Sequence, residues 1–132
     1  MGIILEYLLD TNILIDWFAE GPSQKFLLQR VKHESCQLST SWICAAEFLV
    51  KAGRKEERAL FQLFEAEELR LYDVGGSDTL AQVAGLRRTL SLPLPDCIIL
   101  ATAIRTRATL LSRDEMLCKK AKRVYPNIIC PE

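Results

Sequence analysis

The sequence predicts an α/β domain with a central, mostly parallel β-sheet flanked by helices, and three observations carry that prediction. Short runs rich in aliphatic, β-branched and aromatic residues alternate with longer helical stretches along all 132 residues. Glycine and proline punctuate the handovers, at Gly21-Pro22, Gly53, Gly75-Gly76 and Pro93/Pro95. No internal repeat, low-complexity tract or Gly/Ser linker divides the chain, so residues 1–132 read as one domain. Strands separated by helices pair in parallel, because each helix carries the chain back across the sheet before the next strand begins.

Taken in order, the predicted strands are IILEYLL (3–9), CQLST (36–40), LRLYDV (69–74), ATLLS (108–112) and NIICP (127–131). The predicted helices run over Thr11–Ala19, Ser23–Lys32, Ser41–Ala52, Lys55–Ala66, Ser77–Leu90, Pro95–Thr106 and Glu115–Lys122. This alternation gives certain carboxylates an address, since ligands of open parallel sheets bind beyond the carboxyl ends of the strands. Asp10 follows the first strand, Asp114 follows ATLLSR, and Asp96 opens a helix after the turn LPLP.

Composition bounds the function. At 49% hydrophobic and 26% charged residues the chain is an ordinary globular one, and it is long enough to bury a core without staples. No apolar run approaches the ~18–20 residues of a membrane span. The opening MGIILEYLLDTN has neither the basic n-region nor the cleavage site of a signal peptide, and MGIILE lacks a myristoylation motif. The expectation is a cytoplasmic protein with no membrane partner. Five cysteines without CxxC spacing read as small hydrophobes in a reducing compartment, with Cys44, Cys97 and Cys130 in apolar contexts. The single histidine, His33 in RVKHES, reads as a surface residue and argues against a His-based triad or a His-rich metal site. Net charge is zero, yet Gly85–Tyr125 holds nine Lys/Arg against three acids. Solvated helix faces and a phosphate-backbone track beside a site both account for that run.

Taken singly, Asp10, Asp96 and Asp114 are each adequately explained as helix N-terminal residues. Glu47 is different, because it is the only charge between Thr40 and Val50 in an otherwise apolar helix. It is expected to be buried, and then needs either Lys51 at i+4 or a cation site. The apolar DCIILATA after Asp96 marks a central helix whose entrance faces the sheet end. If the four acids converge, like charges raise one another's pKa until a cation neutralises them. Oxygen ligands without His or Cys select Mg²⁺ or Mn²⁺ over zinc.

LLDTNILI, AAEFL, LPDCIILATA and LLSRDEM resemble, in order and spacing, the acidic motifs of PIN-domain ribonucleases, and the resemblance spans essentially the whole chain. It extends to the VapC-like toxin branch. It implies a PIN-like three-layer sandwich and a Mg²⁺- or Mn²⁺-dependent endoribonuclease whose acidic quartet is Asp10, Glu47, Asp96 and Asp114. Asp10, Asp96 and Asp114 would hold metal and Glu47 would orient its water. Thr11 and Asn12 match the family's polar positions after the first acid, with helix N-terminal hydrogen bonding as the structural alternative. Ser112 stands where the family has Thr or Ser and could position Asp114 or a phosphate, and Arg113 is the candidate phosphate contact on the substrate side. A toxin of this branch would be a homodimer or higher homo-oligomer with an RNA substrate and an antitoxin partner, and Trp17 and Phe18 offer it apolar surface. An RNA processing or decay nuclease outside a toxin pair, and a non-catalytic PIN-like scaffold, fit the same motifs. A receiver domain wants an acidic pair after the first strand where LLDTN has one acid. A haloacid-dehalogenase-type phosphatase wants an acid at position 12, which is Asn.

Overall fold

The computed structural model describes residues 5–33 and 35–131, with the side chains of residues 31–33 outside that description. The solvated position expected for His33, and residues 3–4 of the expected first strand, therefore lie outside the described residues. Five strands, β1 (Leu5–Leu9), β2 (Cys36–Ser41), β3 (Leu69–Tyr72), β4 (Thr109–Leu111) and β5 (Ile128–Ile129), form one all-parallel sheet in the order β3-β2-β1-β4-β5. Among the described residues seven helices alternate with them: α1 (Thr11–Phe18), α2 (Pro22–His33), α3 (Trp42–Lys51), α4 (Arg54–Glu65), α5 (Ser77–Leu90), α6 (Leu94–Thr106) and α7 (Glu115–Ala121). This is the α/β architecture the alternation predicts.

The central strands are apolar on both sides because helices cover both faces of a parallel sheet. Tyr7, Leu8 and Leu9 of β1 and Leu110 and Leu111 of β4 are buried, and they pack with Ile99, Leu100, Ala101 and Ala103 of α6 and Leu117 of α7. The small residues of DCIILATA bring α6 close to the sheet, as expected of a central helix. Three strands are shorter than the sequence suggests, β4 by a residue at each end. β3 stops at Tyr72 because the Asp73 carboxylate accepts the Gly75 N–H at 3.0 Å and turns the chain. β5 pairs only through Ile128 and Ile129.

The strand order fixes the site. From β1 the chain builds outward through β2 to β3, then crosses back and builds through β4 to β5 on the other side. The reversal falls between β1 and β4, where helices diverge and leave a crevice at the carboxyl ends. Leu9 is in register with Thr40 on one side and Leu111 on the other, so Asp10, Ser41 and Ser112 emerge side by side.

Candidate active site

Asp10 continues the sheet for one bond, its N–H donating to the Leu111 carbonyl at 3.0 Å, and then starts α1. Its Oδ1 accepts the Thr11 N–H at 2.8 Å, so it is also the helix cap. The residue is only 7% exposed, and two further donors meet its carboxylate. The Ser112 hydroxyl donates to Oδ2 at 2.7 Å and the Cys44 thiol approaches Oδ1 at 3.5 Å. Burial, then the charge of Asp10, pushes the Cys44 thiol up to about 12, so it stays protonated and can only donate.

Ser112 holds a second acid in place. It is fully buried, and its oxygen accepts the Asp114 N–H at 3.0 Å while its proton goes to Asp10. Asp114 in turn caps α7, its Oδ1 accepting the Leu117 N–H at 3.1 Å. At both strand ends, then, one aspartate caps a helix and faces the crevice at once.

Asp96 lies in the first turn of α6, behind Pro95. No hydrogen-bond donor or cation among the described residues reaches its carboxylate. Burial, followed by the charges of Asp10, Asp114 and Glu47, raises its pKa to about 6. Carboxylates from three other segments therefore bear on Asp96 at this end of the sheet. Among the described residues no three His, Cys, Asp or Glu side chains form a ready-made metal cage.

Glu47 departs from expectation. It is exposed, not buried, and no ion pair joins it to Lys51 among the described residues. α3 presents Cys44, Ala45 and Phe48 to the core and turns Glu47 outward at the crevice, where Thr11 Oγ1 donates to Oε1 at 3.1 Å. An almost wholly apolar helix gives no sign of which strip packs, so composition alone misplaces its one acid.

The polar residues around the acids are tied into the frame. Asn12 Oδ1 accepts the Arg113 N–H at 3.0 Å, bridging α1 to the β4–α7 loop. Arg113 pairs with Asp16 at 3.1 Å, its side chain 40% exposed. Sequence reasoning misses Asp16, although a lone acid in TNILIDWF followed by Gly-Pro is its signal. Its Oδ2 accepts the Ser23 N–H at 2.6 Å in the first turn of α2, and its carboxylate fills the space a side chain at Gly21 would need. Burial opposes ionisation of Asp16, but hydrogen bonding from Ser23 and the charge of Arg113 outweigh it and hold the carboxyl below its ordinary value. Of the three cysteines in apolar contexts, Cys44 and Cys97 are buried but Cys130 is only partly so; Cys118, on the inner face of α7, is buried instead. Trp17 and Phe18 pack against the core, Phe18 beside Phe48 at 5.0 Å between ring centroids, and border an apolar cleft with Leu14, Leu28 and Leu63.

A family model for the PIN domain matches residues 7–123, the span that holds all four acids. The chain belongs to the PIN domain family. PIN domains are nuclease-type hydrolases that generally use divalent metal ions, and the all-parallel five-stranded sheet is theirs. Among solved structures, a toxin–antitoxin complex from Klebsiella pneumoniae is 29% identical with a TM-score of 0.74, covering 96% of this chain and 98% of that one. VapBC2 from Rickettsia felis, bound to a DNA fragment from its promoter, is 24% identical with a TM-score of 0.65, covering 95% and 96%. VapBC-1 from nontypeable Haemophilus influenzae is 21% identical with a TM-score of 0.71, covering 90% and 94%. No curated protein matches the chain. No helix among the described residues is long and apolar enough to cross a membrane.

Proposed function

We propose that this PIN domain is a Mg²⁺- or Mn²⁺-dependent endoribonuclease and the toxin of a toxin–antitoxin pair. The observation that carries the chemistry is Asp96, a carboxylate with no cation beside it among the described residues and three other acids raising its pKa. Such a cluster is stable with all members ionised only when an external cation joins it. The donor set fits a hard divalent ion, being carboxylate oxygen alone. Mg²⁺ would keep several of its waters and take only one or two of these carboxylates.

In this reading Asp10 and Asp96 hold the ion, Asp114 closes the far side, and Glu47, steadied by Thr11, orients the attacking water. When bound, the ion lowers the pKa of that water and stabilises charge on the phosphodiester. Ser112 sets the spacing of Asp10 and Asp114 without neutralising either. Cys44 steadies Asp10 from behind. Asn12 holds the β4–α7 loop against α1, and Arg113 offers a phosphate contact at the loop's exposed rim.

The toxin assignment rests on the likeness to the Klebsiella complex over nearly the whole of both chains. An antitoxin segment and a second copy of the chain are the partners it implies, with apolar surface offered by the cleft beside Trp17 and Phe18. The test is thermal unfolding with and without Mn²⁺, for the wild type and for Asp96→Asn, followed by RNA cleavage with and without EDTA. Mn²⁺ is expected to raise the wild-type midpoint by mass action, about 2.7 kcal/mol at a hundredfold excess over Kd, and to leave the variant unmoved. A wild type that neither responds to Mn²⁺ nor cuts RNA would sink the proposal.

A further inference from the structure

The basic run between Gly85 and Tyr125 resolves, in three dimensions, into cations that are spoken for and cations that are not. Arg105 is held by the Asp73 carbonyl at 3.2 Å and by Thr79, and Arg113 is held by Asp16. By contrast, Arg87, Arg88, Lys119, Lys120, Lys122 and Arg123 have no acid within ion-pair distance among the described residues. All but Lys120 are exposed.

These six lie on two neighbouring segments, whereas Arg107, the ninth cation of the run, caps the C-terminal end of α6. Arg87 and Arg88 are in the last turn of α5, and the other four follow one another along α7 and its end. Lys120 Nζ donates to the Ser91 carbonyl at 3.4 Å, which fastens α7 to the turn between α5 and α6. That turn leads directly into Asp96, and Arg87 lies within electrostatic reach of Cys97, the next residue. α7 itself begins at Asp114. The cations thus start beside two of the acids and run away from them.

The sheet order sharpens the contrast. α7 packs on β5 at one edge, while α4 packs on β3 at the other. On α4 and around β3, Glu56, Glu57, Glu65, Glu67 and Glu68 stand among Arg54, Lys55, Arg58 and Arg70, so acids and cations nearly balance there. Outside Gly85–Tyr125 the sequence holds eight of its 17 basic residues and 14 of its 17 acidic ones, so the positive excess of a neutral chain is concentrated in this stretch. Helix dipoles account for a cation or two at each helix end, but they do not call for acids to be excluded between two helices.

We propose that this ridge binds the RNA backbone on one side of the scissile phosphate, so that the substrate is engaged over several nucleotides running toward the β5 edge. The proposal rests on the nuclease reading and adds where the flanking strand lies. A run of unpaired cations beside a carboxylate site draws a polyanion in from the side while the acids repel it, leaving only the neutralised metal position open to a phosphate.

The test is binding of a fluorescent single-stranded RNA to the full chain in EDTA across a salt series. Two independent pairs are substituted, Arg87→Gln with Arg88→Gln, and Lys119→Gln with Lys122→Gln; Lys120 is left alone because it holds the fold. For a single strand, each phosphate that a cation no longer neutralises flattens the slope of log K against log salt by about 0.7, so each pair should flatten it by ~1.4. At moderate salt each pair should weaken binding roughly tenfold. Arg54→Gln with Arg58→Gln, on the opposite edge, should change neither. Unchanged slopes in both ridge pairs, or an equal change in the opposite-edge pair, would overturn the proposal. Failure of the nuclease reading has a different signature, wild-type RNA binding with no Mn²⁺-dependent cleavage.

Discussion

Two partly buried acids, Glu6 on β1 and Asp96 at the entrance of α6, receive opposite treatment from the fold. Glu6 points into a network of its own chain: Tyr72 donates to it at 2.7 Å, Ser39 at 3.2 Å and Arg70 at 3.1 Å. Burial, then the hydrogen bond to Glu6, raises the Tyr72 pKa and keeps that phenol a donor. Beyond Asp10, the strand opens onto Asp96, which has no donor among the described residues and three like charges for company. A carboxylate the protein needs for its own cohesion is closed with donors, whereas the Asp96 group is left open. The difference separates a structural acid from one that awaits a ligand more clearly than burial does, since both regions are partly buried.

The comparison can be broken at either end. The largest effect expected is from Asp96→Asn, a loss of metal-dependent cleavage of at least ~100-fold, read in initial rates with saturating Mn²⁺. The same change should stabilise the metal-free protein at about pH 7.5. Asp96 has a folded pKa of about 6 against an ordinary 3.8, so the folded state binds the extra proton between those values. Its favourable contribution is complete below the ordinary value and is lost as pH rises through about 6. The variant's advantage in midpoint, measured in EDTA, should therefore shrink as pH falls from about 7 toward about 4. A variant destabilised near pH 7.5 would mean that Asp96 is closed after all.

Glu6→Ala should do the reverse. Removing a charged acceptor from Tyr72, Ser39 and Arg70 should cost about 1.5–3 kcal/mol in urea unfolding and leave the Mn²⁺ shift of the folded protein intact. Ser112→Ala stands between the two, because Ser112 serves the site through buried hydrogen bonds. It is expected to cost about 1–3 kcal/mol and to lower cleavage roughly 10–100-fold. Loss of stability alone would reduce Ser112 to a turn residue. Arg113→Ala is the mildest: its ion pair with Asp16 is worth under ~1 kcal/mol, and a phosphate contact would show as a salt slope flatter by about 0.7. An unchanged slope assigns the guanidinium wholly to Asp16.

Much of this is legible from the chain. The element order, the arrest of the β1 run at Asp10, and the central position of α6 all follow from apolar periodicity and from where Pro and Gly fall. The placement of Asp10 and Asp114 at neighbouring strand ends needs only parallel pairing. What is not legible depends on which strip of a helix packs. α3 is apolar nearly all round, yet Trp42 is 56% and Val50 80% exposed while Glu47 faces the crevice. The supporting contacts from Cys44 to Asp10 and from Asp16 to Ser23 are equally hidden. The first joins residues 34 apart in sequence, and the second depends on the absence of a side chain at Gly21.

The bond from Ser112 to Asp10 joins residues 102 apart. β4 adds to the sheet only after β1, β2 and the α5–α6 hairpin have been made, so the crevice has no second wall until most of the chain exists. Long-range closures of this kind form late in folding, since their loop entropy is offset only by contacts already in place. A chain stopped before residue 109 would carry Asp10, Glu47 and Asp96 but lack Ser112 and Asp114. Such a partial chain cannot bring the four acids together, so the stretch from β4 to Asp114 is what completes the cluster.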